Sequence, residues 1–237
     1  MTMPRYAVYY APDPQGGFHR RLSAWLGRDA SSDASVAQPR TAGFSAASFN
    51  RLTAEPRHYG AHATLKPPFH PAANQDDRTI GEAVGALAAT LAPIVAPPLR
   101  VTRIGRFLAL TPKRQTRALT TLAGTCVRAL DHLRAAPTPD ELARRRAAGL
   151  SARQEILLAQ WGYPYVIEEF RFHITISGQA DSDSLDRLAT AAADHFADDL
   201  QAGLPVAALT LFKAGGDGDS FVIIARYALV GRETDNP

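Results

Sequence analysis

The sequence predicts an α+β protein with two pseudo-symmetric lobes, each an antiparallel β-sheet backed by helices, around a central cleft. Three observations lead there. Two short segments read almost alike: Tyr59-Gly60-Ala61-His62-Ala63-Thr64-Leu65-Lys66 and Arg171-Phe172-His173-Ile174-Thr175-Ile176-Ser177-Gly178. Each is followed by a turn, a helix and an apolar strand, at similar separations (Thr64 to Leu108, Thr175 to Val222). The mostly helical stretch of about 114–160 lies between the two runs and reads as their linker. The chain, 1–237, is therefore read as a single bilobal domain of two intertwined lobes.

Arg5 to Ala11 alternates and is rich in Tyr and Val, which predicts a strand. Gly17 to Gly27 places Phe18, Leu22, Trp25 and Leu26 at helical spacing. Residues 28–50 are rich in Ser, Ala, Asp and Gly and read as a long loop. Ala61 to Leu65 is the first motif strand, ended by Lys66-Pro67-Pro68 because proline cannot donate to a ladder. Residues 77–92 form an Ala-rich helix, and Leu99 to Leu110 a strand region bent at Gly105. A long helix covers 114–135, broken by Pro137-Thr138-Pro139. Thr138 or Asp140 caps the next helical stretch, which runs with interruptions to about Gln160. Phe170 to Ser177 is the second motif strand. Asp181 or Ser182 caps a helix to about Leu200, and Val206–Phe212 with Phe221–Val230 form a hairpin over a Gly- and Asp-rich turn.

Composition narrows the function classes. The chain has 237 residues, 46% hydrophobic and 21% charged, with net charge +3. That balance permits an anionic ligand and argues against a broad nucleic-acid surface. The densest basic cluster, Arg144-Arg145-Arg146, lies beside Asp140 and Glu141 in a helical stretch and reads as a solvated face. No apolar run approaches the roughly 20 residues of a membrane span. Met1-Thr2-Met3-Pro4-Arg5 lacks a signal peptide's apolar core, so a cytoplasmic location and no membrane partner are expected. The single Cys126 sits among Leu122, Val127 and Leu130 and reads as a small buried hydrophobe. No phosphate-binding P-loop is present: Gly215 to Gly218 lies between strands and lacks the Lys-Ser/Thr and the following helix.

In an extended strand, residues two apart share a face. His62 with Thr64, and His173 with Thr175, therefore each offer an imidazole and a hydroxyl to one surface, while Ala61, Ala63 and Leu65, or Phe172, Ile174 and Ile176, face a core. Two imidazoles flanking one phosphorus suit an in-line displacement, one as base and one as acid. Two threonine hydroxyls can donate to the non-bridging oxygens, where charge builds. Lys66 shares the face of His62 and Thr64 if the strand runs that far, and Arg171 that of His173. Either could hold a phosphate. Tyr59, Tyr163 and Tyr165 flank the motifs and can stack on a base or sugar. Zinc ligation by His62 and His173 with Asp181, Asp183 or His58 lacks the usual ligand spacings, so no metal and no cofactor are expected. His19, His70, His132 and His195 have no motif context.

These residues resemble the 2H phosphoesterase superfamily, the LigT-like proteins named for two His-x-Thr/Ser motifs. The longer strings around Arg57–Phe69 and Tyr163–His173 resemble a subfamily associated with phosphonate metabolism and carbon–phosphorus lyase genes. The resemblance implies a bilobal fold and metal-independent chemistry at cyclic phosphates or 2′–5′ linkages. It implies His62, Thr64, His173 and Thr175 as catalytic residues. The expected substrate is a cyclic phosphate of a small phosphorylated sugar or nucleotide. The alternatives are an RNA-end 2′,3′-cyclic phosphodiesterase or 2′–5′ RNA ligase-like enzyme, and a non-catalytic module that binds a phosphorylated ligand.

Overall fold

The computed structural model describes residues 3–147 and 149–231. The chain enters through β1 (Arg5–Tyr10), almost wholly buried, and α1 (Gly17–Leu26), which buries Leu22, Trp25 and Leu26. The segment expected as a long loop instead carries a two-residue hairpin, β2 (Arg28–Asp29) and β3 (Ala34–Ser35), and then the start of α2 (Ala46–Leu52). Strands of two residues are too short to show alternation, so no sequence pattern marks them. After α3 (Ala54–Tyr59), β4 (Ala63–Phe69) runs on through Pro67 and Pro68. It lies at the edge of its sheet, where a missing N–H breaks no interior ladder.

Helix α4 (Asp77–Thr90) starts at a reciprocal Asp76–Thr79 cap and leads through β5 (Ile94–Ala96) to β6 (Leu99–Ile104) and β7 (Phe107–Pro112). The stretch read as one bent strand is thus a hairpin, reversed at Gly105 with φ +56. Helix α5 (Arg117–Ala129) is shorter than the run of apolar residues suggested and ends in a single tight turn at 131–133. Thr138 and Glu141 cap each other at the start of α6 (Pro139–Arg146), and α7 (Ala152–Trp161) follows. Of the second motif strand only β8 (Ile174–Thr175) joins a ladder. Next come α8 (Ser182–His195), capped by Asp181, then β9 (Leu204–Val206), β10 (Ala208–Ala214) and β11 (Val222–Ala228).

The fold class is α+β, with every strand pair antiparallel. One sheet has the order β11-β10-β1-β4, and a second the order β6-β7-β8. The strands after each motif are therefore exchanged. The β6–β7 hairpin, which follows the first motif in sequence, carries the second motif strand. The β10–β11 hairpin, which follows the second motif, completes the sheet of the first. The order of elements repeats along the chain, but each sheet is assembled from both halves.

One continuous core joins the two sheets: Leu65 of β4, Leu108 and Leu110 of β7, Ile174 of β8 and Leu209 of β10 pack in the same cluster with Trp25 and Phe172. Each such side chain contributes about 1.5–3 kcal/mol on burial. The indole of Trp25 also donates to the Ile176 carbonyl at 2.8 Å, tying α1 to the second motif. Strand β1 is buried on both faces. Tyr6, Val8 and Tyr10 join the main core, while Ala7 and Tyr9 join a smaller cluster with Phe212 and Phe221. That smaller cluster forms the floor on which the first motif sits. No helix among the described residues is long and apolar enough to cross a membrane.

Candidate active site

His62 leaves α3 through Gly60, whose φ of +74 and ψ of −177 form a backbone state that essentially only glycine adopts. A Cβ there would also meet the Ala30 Cβ at 2.5 Å. This turn aims the Gly60 carbonyl back at the imidazole, 2.9 Å from His62 Nδ1. The second motif repeats the arrangement, with His173 Nδ1 lying 2.8 Å from the Arg171 carbonyl. A carbonyl oxygen only accepts, so in both rings Nδ1 carries the proton and donates. In the neutral ring Nε2 is then a free base. Among the described residues neither Nε2 has a partner.

The surroundings of the two rings differ. His62 is stacked on Tyr9 at 4.0 Å between centroids, with Tyr59 tilted against it at 5.7 Å. Burial, aided by the nearby charge of His173, pulls its pKa down to about 4, against the opposing pull of the Gly60 carbonyl. His62 is therefore a neutral imidazole at pH 7. His173 lies more open, with Phe107 its nearest aromatic ring at 6.4 Å.

The alternation expected of the motifs is present. Ala61, Ala63 and Leu65, and likewise Phe172, Ile174 and Ile176, are buried, while His62, Thr64, His173 and Thr175 are half-exposed. His62, Thr64 and Thr175 line one cavity of about 240 Å³. His173 lines an adjoining, more apolar one of about 740 Å³, which shares Thr64 and Phe107 with the first. A third, of about 370 Å³, holds Lys66 and several arginines. Tyr163 lines all three, so the three compartments adjoin at one tyrosine.

The remaining expected residues are divided among these compartments. Tyr59 lies between the His62 and Lys66 cavities and stacks on Phe221 at 5.4 Å. Tyr165 and Arg171 line the His173 cavity; the Arg171 guanidinium donates to the Glu168 and Phe170 carbonyls at 2.9 and 2.8 Å. Lys66 departs from the expected alignment with His62 and Thr64 and faces the third cavity. The reason is the irregular β1–β4 register: one step from Tyr9 to Val8 spans two from Thr64 to Lys66, and two from Val8 to Tyr6 span three to Phe69. Its ammonium lies 3.7 Å from Asp131, and burial lowers its pKa to about 8. No group of three or more His, Cys, Asp or Glu side chains among the described residues is placed to hold a metal ion. Cys126 is buried and its thiol is pushed up to about 12, which makes it inert.

A profile of the family "protein of unknown function (DUF1045)" matches residues 64–222, two thirds of the chain. The chain belongs to that family. Two curated relatives are both named ribose 1,5-bisphosphate phosphokinase PhnN. The one from Janthinobacterium sp. (strain Marseille) is 37% identical over 235 residues, covering 98% of this chain and 52% of the relative. The one from Laribacter hongkongensis (strain HLHK9) is 39% identical over 220 residues, covering 92% and 50%. The chain thus spans about half the length of the curated relatives it matches. Among solved structures it is similar to E. coli LigT complexed with 3′-AMP (14% identity, 97% of this chain and 99% of that one, TM-score 0.43) and to E. coli LigT in apo form (12%, 95% and 98%, TM-score 0.42).

In this DUF1045 chain several cleft residues lie outside the motifs. Tyr9 comes from β1, opposite Thr64 in the ladder. Arg5, from the start of β1, lines the His62 and Lys66 cavities. Arg145 is the larger departure from the sequence reading. Its neighbour Arg146 does lie on a solvated face, paired with Glu155 at 3.0 Å. Arg145 turns inward, 4.6 Å over the ring of Tyr163, and lines the same two cavities. A run of three arginines carries no signal of which one a helix turns toward a cleft. Of the four motif-free histidines, His70 lines the Lys66 cavity with its Nδ1 3.0 Å from the Pro4 carbonyl, while His19 meets Asp29 at 3.0 Å, His195 the Arg21 carbonyl at 3.2 Å, and His132 lies in the turn after α5.

Proposed function

We propose that the chain is a metal-independent phosphodiesterase that opens the cyclic phosphate of a small phosphorylated sugar or nucleotide. The paired Nδ1–carbonyl hydrogen bonds carry this reading. They hold two imidazoles in the same tautomer, each with Nε2 available, on adjoining cavities that share Thr64, Phe107 and Tyr163. His62, neutral at pH 7, takes the role of base and accepts a proton from water at Nε2. The water oxygen bonds to phosphorus as the ring P–O bond breaks. His173 takes the role of acid and gives an Nε2 proton to the leaving oxygen. Thr64 and Thr175 donate to the non-bridging oxygens. The proton balance is restored by exchange with solvent. Each proton transfer supplies roughly 100- to 10,000-fold in rate, about 3 to 5 kcal/mol.

The substrate class follows from the walls. A cleft of separate basic and apolar compartments fits a small phosphorylated molecule better than an RNA backbone, which calls for a continuous basic track. The phosphokinase name belongs to relatives about twice this length. This chain has no glycine-lysine phosphate loop, so the kinase activity of those proteins is assigned here to the part outside the match. A role in phosphonate breakdown agrees with the resemblance of the two motif strings.

The test is turnover of a panel of ribose and nucleoside cyclic phosphates by the purified protein in excess EDTA. Cleavage is expected, with His62→Ala and His173→Ala each lowering kcat at least about 100-fold and the double variant little worse than the worse single one. Loss of activity in EDTA with recovery on added zinc or manganese would replace this mechanism by a metal hydroxide. Near-wild-type turnover by either histidine variant would rule it out.

A further inference from the structure

Beside the His62 cavity lies the compartment of about 370 Å³ whose cations the mechanism above does not use. Some of its charges are committed. Arg134 donates to Asp131 at 2.6 Å and to the Gln160 carbonyl at 2.9 Å. The Glu141 carboxylate accepts from the Thr138 backbone N–H at 2.8 Å. Besides the exposed Arg144, three cations keep unspent donors. Arg5 approaches Asp217 only at 3.9 Å, and its Nε is buried with no hydrogen-bond partner among the described residues. Lys66 is 3% exposed, with one long contact at 3.5 Å to the Val127 carbonyl and Asp131 at 3.7 Å. Arg145 makes no hydrogen bond among the described residues and rests on the Tyr163 ring.

Buried donors without acceptors, and buried charges without close counter-charges, cost free energy that a bound anion recovers. Lys66 carries the sign of that cost, since burial has drawn its pKa to about 8. The guanidinium forks of Arg5 and Arg145 match phosphate oxygens in pairs. Both arginines line this compartment and the His62 cavity together, so they stand between the two. We infer that this compartment, with Arg5, Lys66 and Arg145, is a second anion subsite that takes a phosphomonoester group of the substrate. The inference rests on the proposed function in one respect, that the diester of the same substrate lies at His62 and His173. The enzyme would then select doubly phosphorylated small molecules, with the monoester and the diester at opposite ends.

Two measurements on the whole protein separate this subsite from the hydrolytic reading. The first is calorimetric titration with ribose 5-phosphate, with ribose as control. Binding of the phosphate ester alone is expected, weakened at least tenfold in both Arg145→Gln and Lys66→Met. Arg145 is half-exposed, so its variant keeps the fold if the more buried Lys66→Met does not. The second is the ratio of kcat/KM for two ribose cyclic phosphates that differ only in a 5-phosphate. Wild type is expected to prefer the phosphorylated one at least tenfold, and Arg145→Gln to lose most of that preference. Equal affinity of wild type and Arg145→Gln for ribose 5-phosphate, or an unchanged preference, would overturn the subsite. If wild type cleaves neither diester, the hydrolytic reading fails, and the titration still decides the subsite by itself.

Discussion

The depressed pKa of His62 makes a prediction about stability that does not depend on the substrate. In the unfolded chain its imidazole titrates near the ordinary value of about 6.5, whereas in the folded protein burial lowers it to about 4. Between those two values the unfolded state binds the proton that the folded state refuses. Lowering the pH therefore pulls the equilibrium toward unfolding, with no effect from this group above pH 7 and a growing one from pH 6.5 downward. Integrated to pH 4.5, the loss is about 2.5 kcal/mol, a large part of a typical domain's stability. The assay is urea unfolding of wild type and His62→Ala at pH 7.5, 6.0, 5.0 and 4.5. Other titrating groups act alike on both proteins, so the difference in unfolding free energy isolates His62. Wild type should lose about 2.5 kcal/mol relative to the variant across that range. A difference that does not change with pH would show that His62 titrates normally in the folded protein, and would remove the reason for assigning it as the neutral base.

Thr64→Val and Thr175→Val should each raise the barrier by about 1–3 kcal/mol, since each removes one hydrogen bond to a charged phosphate oxygen; a drop in kcat/KM without change in the unfolding midpoint is the expected result. Gly60→Ala should destabilise the fold through both a forbidden backbone state, about 1–3 kcal/mol, and the clash with Ala30. Ala30→Gly in the same chain should recover the part due to the clash, and thermal unfolding of the single and double variants separates the two.

The facing of the two motif segments was legible because strand alternation is local. His62 with Thr64, and His173 with Thr175, share a face as soon as their segments are extended, and the structure has their neighbours Ala63, Leu65, Ile174 and Ile176 buried. Helix limits were legible where a cap or a breaker marks them, as at Thr138 and Asp181. The reading failed where the deciding interaction lies far away in sequence. Gly105 looked like a bend until the β6–β7 pairing made it a reversal. Pro67 and Pro68 looked like a strand end until the sheet order placed their strand at an edge.

By itself, then, the sequence determined the α+β class, the alternation of the two motif segments and the residue types that would face a cleft. These depend on backbone periodicity and on side chains within a few positions of each other. Tertiary structure alone decided which sheet each motif strand joins, because nothing in a strand's own residues names its partner. It turned Lys66 away from His62, through bulges imposed by pairing with β1. It brought Arg5 and Arg145, from opposite ends of the first two thirds of the chain, to the wall of one cleft. It also made the two similar motifs unequal: Tyr9 closes over His62 and lowers its pKa, while His173 stays more open. Burial is a property of everything packed around a side chain, and it gives two nearly identical strings different surroundings.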